Sequence, residues 1–149
     1  MTILNEIFNN QVLITALISW FLAQLIKVIL TLVTSKKIDF SRFVGSGGMP
    51  SSHSSFITAL TTSIGFLNGF ETPEFAICAC LDLVVLYDAA GVRRSAGEQA
   101  KILNKIVSEW GHENIKDTGK KLKELLGHSP LEVIAGAALG IFVAIIRHI

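Results

Sequence analysis

Charge is what this chain has least of. Asp, Glu, Lys and Arg make up 17% of its 149 residues, where a soluble domain carries about a quarter. Half of the residues are hydrophobic and the mean hydropathy is +0.54, which argues against an ordinary soluble domain; no nucleic-acid partner is expected. Cysteine is nearly missing. Cys78 and Cys80 would point in different directions at i and i+2 on a helix, which argues against a local disulfide or a shared metal. No metal site and no cofactor are expected. A basic n-region is also lacking: Glu6 stands where a signal peptide would carry Lys or Arg, so the first apolar segment is expected to stay in the protein. Strand-like alternation, internal repeats and low-complexity tracts are absent. What remains is an all-α chain, read as a single domain over 1–149.

Long apolar segments are what the chain does have. Gln11 to Val33 is long enough to cross a bilayer, since about 20 helical residues span the hydrocarbon core. Further candidates run from Ser54 to Phe70, from Pro73 to about Ala90 and from Pro130 to Ile146. The expected architecture is an integral membrane helical bundle of about four spans. The second span is weakly apolar and the fourth is short, so both are expected to be partly buried among neighbours. Gln24, Lys27, Thr31 and Thr34 recur at helical spacing, a stripe that should face the bundle interior. Gly136 and Gly140 form a GxxxG pair that permits close helix contact and makes a homodimer plausible.

Charge in the connections sets the sides. Lys36, Lys37 and Arg42 lie in the first, and Arg93, Arg94, Lys101, Lys105, Lys116, Lys120, Lys121 and Lys123 in the third. The short connection at Glu71 and Glu74 has no Lys or Arg. The positive-inside rule then places both basic loops in the cytoplasm. With four crossings, the two ends that carry histidine motifs fall on one face whichever way the protein sits. Within the long loop, Ser95 and Glu98 read as a capping box opening a helix to about Trp110. A second amphipathic helix is expected over Asp117 to Leu126, closed by Gly127. Both are expected at the membrane surface or capping the bundle.

Two motifs could carry chemistry. In Gly127-His128-Ser129-Pro130-Leu131-Glu132, the histidine and glutamate are four apart, a spacing that places them on one helix face. A carboxylate bonded to one imidazole nitrogen fixes the tautomer and makes the other a better nucleophile or base. The same residues also spell a capping box with Pro at the first helical position, in which Glu132 only caps. Spacing does not choose between the two. In Gly47-Gly48-Met49-Pro50-Ser51-Ser52-His53-Ser54, a glycine-rich approach leads to a helix start, which is either a plain serine cap or an anion site. Lys36, Lys37 and Arg42 would complement a phosphate there, or serve only as topogenic charge. Arg93 and Arg94 follow Asp88, which could orient one guanidinium. Deeper in the bilayer, Lys27 and Asp82 sit at similar depths, and an ion pair between them is the expectation, with a hydrated cavity as the alternative.

These motifs carry a resemblance. Pro50-Ser51-Ser52-His53-Ser54 resembles the PSGH motif of the type-2 phosphatidic acid phosphatase and vanadium haloperoxidase superfamily, with Ser in place of Gly. His128-x-x-x-Glu132 resembles its closing HxxxD motif, with Glu in place of Asp. With the GGMPSSHS, YDAAGVRRSAGEQAKILN and GHSPLEVIAGAALG runs, nearly the whole chain is similar to the small divergent branch of that superfamily. The resemblance implies a metal-independent phosphatase acting on a phosphorylated lipid or isoprenoid. It implies His128 as the nucleophile that becomes a phosphohistidine, Glu132 as its orienting acid and His53 as proton donor. It implies that Ser51, Ser52, Lys36, Lys37, Arg42, Arg93 and Arg94 hold the phosphate, with Arg42, Arg94 and one of Lys36 or Lys37 neutralising its oxygens. The alternatives are a phosphate- or headgroup-binding protein without turnover, and a transporter using Lys27 and Asp82.

Overall fold

The computed structural model describes residues 2–35, 48–109, 122 and 128–149. Among them there are helices and no strands: α1 (Ile3–Asn9), α2 (Gln11–Ser35), α3 (Ser52–Asn68), α4 (Pro73–Tyr87), a π turn (Asp88–Val92), α5 (Arg93–Glu109) and α6 (Pro130–His148). Their starts follow capping chemistry. Asn10 Oδ1 accepts from Leu13 N ahead of α2, at 3.0 Å. The Ser51 side chain accepts from Ser54 N and opens α3, and Thr72, followed by Pro73, opens α4. Gly69 ends α3 with φ +104°, a backbone state that a side chain disfavours.

Three helical stretches are long and apolar enough to cross a membrane: Gln11–Val33, Pro73–Val107 and Pro130–His148. The fold is an all-α membrane bundle. The candidate second span behaves differently. α3 is short and rich in Ser and Thr, and it lies at the centre, packed on α2, α4 and α6. Its hydroxyls are met by neighbours: the Ser19 and Ser55 hydroxyls lie 2.6 Å apart, Thr58 Oγ1 donates to Asp82 Oδ1 at 3.0 Å, and Thr61 Oγ1 donates to Cys78 O at 3.3 Å. Partial burial, expected from its weak apolarity, is what the structure gives it.

The expected break before Ser95 does not occur. The helix of α4 runs on through the π turn into α5, and Ser95 and Glu98 lie within it, with Glu98 paired to Arg94 at 3.4 Å. A local capping pattern cannot open a helix whose upstream residues are already helical. At about 1.5 Å per residue, the 35 residues from Pro73 to Val107 extend about 52 Å, well beyond the roughly 30 Å hydrocarbon core. The helix expected at Asp117 to Leu126 lies outside the described residues, apart from Leu122, whose backbone N–H donates to Asn104 Oδ1.

The GxxxG pair works inside the chain. A Cβ on Gly136 would strike the Ser51 carbonyl oxygen, and one on Gly140 would sit 2.6 Å from Ser55 O. The glycine face of α6 is therefore filled by α3, and it offers no argument for a homodimer. Gln24 and Lys27 are buried, as their stripe predicts. The Lys27–Asp82 ion pair is not formed: the ion pairs among described residues are Arg93–Asp88, Arg94–Glu98 and Lys105–Glu109. Asp82 is instead held by the hydroxyl of Thr58.

Candidate functional site

Three chain segments meet at one end of the bundle. The start of α3 is tied to α6 by a bond from Ser51 N to Glu132 O at 2.9 Å. The residue just before α6 is tied to the π turn by a bond from His128 N to Ala89 O at 3.2 Å. A π turn hydrogen-bonds one residue further along than an α-helix and so displaces the regular carbonyl pattern; here Arg93 N reaches back to Asp88 O, and the neighbouring Ala89 carbonyl serves His128. Local helix irregularity thereby fixes a residue of the closing motif against the middle of the chain.

This convergence sets His53 and His128 edge to face, with ring centroids 6.4 Å apart. His53 is exposed at the mouth of α3, whereas His128 is 2% exposed. Among the described residues, neither ring nitrogen of His128 has a hydrogen-bond partner. A buried imidazole without partners forfeits the two hydrogen bonds that its ring nitrogens would make to water, an arrangement that favours an incoming polar ligand. The N-termini of α3 and α6 both face this end, and each carries a partial positive charge and amide donors.

The candidate residues divide clearly. Glu132 is in the cap: its Oε2 accepts from Ser129 N at 2.8 Å while Ser129 Oγ accepts from Glu132 N at 3.3 Å. It makes no hydrogen bond to His128, so the capping alternative is the one realised. Ser51 is wholly buried, and its hydroxyl takes bonds from the Ser54 amide and hydroxyl. Ser52 is buried as the first residue of α3. Arg93 is partly exposed, with Nε held by Asp88 Oδ2 at 2.6 Å, and its charge lowers the pKa of both histidines. Asp88 thus orients a guanidinium, and the arginine is Arg93, whereas the motif likeness favoured Arg94. Arg94 reaches along the exposed side of α5 to Glu98, because one helical residue turns a side chain by about 100°. Lys36, Lys37 and Arg42 lie outside the described residues.

One contributor was misread from the sequence. Lys27 is buried, its stem lies along Gly48 in the loop before His53, and its charge acts on both histidines. The sequence marked it as a charge in an apolar helix, but the partner was sought on α4. Gly48, at φ +89°, leaves 3.3 Å between an added Cβ and Lys27 Cγ, so the loop and the lysine are fitted to each other.

Electrostatics favour neutral imidazoles here. Burial holds the His128 pKa below its ordinary value; Glu132 pulls it up, while Lys27, His53 and Arg93 push it further down. His53, ahead of the membrane-embedded part of α3, is lowered by partial burial and by Arg93 and Lys27, with Asp88 opposing. Among the described residues, no three His, Cys, Asp or Glu side chains are grouped as metal ligands.

An all-α membrane bundle that brings a PSSH start and an HxxxE start together defines a phosphatidic-acid-phosphatase-like membrane protein. The chain belongs to the family described as the Divergent PAP2 family, which it matches over residues 8–143. It is also similar to a protein of Bacillus subtilis (strain 168) described as "Uncharacterized membrane protein YuiD", at 39% identity over 151 residues, covering 95% of this chain and 96% of the relative. No solved structure matches the chain.

Proposed function

We propose that this protein is a membrane phosphatase that hydrolyses a phosphorylated lipid or isoprenoid through a phosphohistidine. The carrying observation is the buried His128 without hydrogen-bond partners, beside His53 and between two helix N-termini. In the first step a neutral ring nitrogen of His128 attacks phosphorus, the ester P–O bond breaks, and protonated His53 gives its proton to the leaving alkoxide. In the second, neutral His53 takes a proton from water as the water oxygen attacks the phosphohistidine, releasing inorganic phosphate and free His128. Positioned acid–base help of this kind contributes about 10²–10⁴-fold.

The lowered pKa of His128 supplies the neutral nucleophile. The cations that disfavour a proton on His53 are balanced by the charge of a phosphate dianion, which restores the acid. Lys27 and Arg93, with the amides that open α3, meet the charge on the phosphoryl oxygens. Lys36, Lys37 and Arg42 are proposed to add to that charge, and the excess of Lys and Arg in the connections supports a site on the cytoplasmic side.

A second reading, phosphate or headgroup binding without turnover, is favoured by one observation: Glu132 is engaged in its cap and leaves the His128 tautomer unset. The two separate in one experiment. Purified protein in detergent with EDTA is given ³²P-labelled lipid phosphates, and the protein is assayed for acid-labile, base-stable label. Catalysis gives phosphate release, label that accumulates in His53→Ala and neither in His128→Ala. Binding without label in folded wild-type protein establishes the second reading.

A further inference from the structure

The far end of the α4–α5 rod carries an apolar stripe that lies open. At 100° per residue, Ile102, Leu103, Ile106 and Val107 fall within one arc of about 140°. Each of the four is between 38% and 59% exposed. Every charge of α5 lies outside that arc: Arg93, Arg94, Glu98, Lys101, Lys105 and Glu109. Within it, Ala96, Gln99, Leu103 and Ile106 follow one another at steps of three, four and three, the spacing of a seam between paired helices. A contiguous apolar surface in water marks a place where something docks.

Height along the rod narrows the choice of occupant. The stretch from Pro73 to Val107 outruns the hydrocarbon core by about 20 Å, and the charges of α5 put that end in water. A bilayer surface lies across such a rod and does not cover a stripe running along its side. The chain's own return lies on another face. Gly97 and Ala100 are buried there, and beside them Asn104 Nδ2 donates to Leu122 O at 2.9 Å while its Oδ1 accepts from Leu122 N at 3.1 Å. What stands parallel to the rod at the same height is the rod of another copy, inserted the same way.

We infer that α5 is the interface of a homodimer, with Leu103 and Ile106 at its centre and Ile102 and Val107 at its edges. A two-fold axis along the membrane normal sets stripe against stripe in register. Charge fits this pairing. Glu98 and Glu109 border the Ile102 edge and Arg93 borders the Val107 edge; in a parallel pair these two edges meet, acid against base. The membrane supplies the rest, since confinement and common orientation raise the effective concentration of one copy at another. The interface is separate from the GxxxG face, which α3 fills, and it requires no turnover at the histidine pair.

The test uses the full chain in phospholipid vesicles at low protein density, with Cys78→Ala and Cys80→Ala removing the native thiols. Under mild oxidation Leu103→Cys should form a disulfide-linked dimer, whereas Lys101→Cys, on the charged face, should stay monomeric. Equal cross-linking at both positions would report random collision and overturn the inference. Ile106→Glu places a carboxylate in the seam and should abolish the Leu103→Cys cross-link while the melting temperature in detergent is kept. A cross-link that survives Ile106→Glu also overturns it. Single-molecule photobleaching of the labelled but uncross-linked protein should show two steps, falling to one with Ile106→Glu; one step in both overturns the dimer. Finally, a spin label at Leu103→Cys should be shielded from both aqueous nickel and lipid-dissolved oxygen. Shielding from nickel alone would mean that the membrane surface covers the stripe, and that outcome overturns the dimer as well.

Discussion

α6 and α4 both lean on α3, yet they do so under different rules. Against α6, glycine meets serine backbone, and 28% of the α6 apolar window is buried; against α4 the figure is 6%, and contact runs through a few hydroxyls and one carboxylate. Where lipid is as apolar as leucine, apolar burial alone gives helices no reason to associate. Close backbone approach holds the first pair, and polar bonds hold the second. The difference places rigidity where the two histidine motifs must stay in register. It leaves the looser flank open to hydrocarbon.

The largest effect should come from breaking the tight side. Gly136→Val drives a side chain into the Ser51 carbonyl and should cost about 3 kcal/mol or more, read as loss of folded protein on heating in detergent. Leu83→Ala on the lipid-exposed side of α4 should stay within about 0.5 kcal/mol in the same assay. Comparable losses would mean that α4 is packed as firmly as α6.

Next comes the pH response of the site between them. Because His128 has a folded pKa below its ordinary value of 6.5, the unfolded chain binds the proton first as pH falls. Its contribution is complete above 6.5 and is lost as pH drops from there toward the folded pKa. The thermal midpoint of wild type should therefore decline through that window, and His128→Gln should flatten the decline. An unchanged slope in the variant would assign the response to other groups.

Smaller effects sharpen the polar flank. Lys27→Ala and Asp82→Ala should add to within about 0.5 kcal/mol when combined, since the two side chains form no pair. A double variant more stable than the sum would restore the ion pair. Smallest of all, Ser129→Ala should cost about 1 kcal/mol through its lost cap. Glu132→Gln should leave both stability and turnover near wild type if Glu132 only caps. A fall in turnover with stability kept would show that the carboxylate does orient His128.

The starts at Ser51 and Ser129 were readable because they are local: each caps where its side chain reaches an amide three residues on. The two histidine motifs were expected on one face from a count of four crossings; the structure brings them together at one end, although three helical stretches among the described residues are long and apolar enough to span. What could not be read was set by distant partners. Ser95 and Glu98 have the spacing of a cap, yet the chain upstream was already helical through the π turn. Glu132 offered two roles at one spacing, and the position of Ser129 decided between them. Lys27 was visibly out of place in an apolar helix, but only the folded loop at Gly48 brings it to the histidines. Arg93 and Arg94 are adjacent in the chain, and which of them pairs with Asp88 depends on helix phase.

That phase has a further consequence. A π turn carries one residue more than the α-helical turn it replaces, so every side chain beyond it is rotated by about 100° relative to an unbroken helix. The rod from Pro73 to Val107 thus has two angular settings, one for the part that meets α3 and one for the part beyond it. The extra residue is what makes them differ. Removing Ala90 would leave a smoother helix, with Arg93 and all that follows it turned by about 100° and the Ala89 carbonyl returned to its own ladder. The imperfection in the backbone is the timing mark that sets the site.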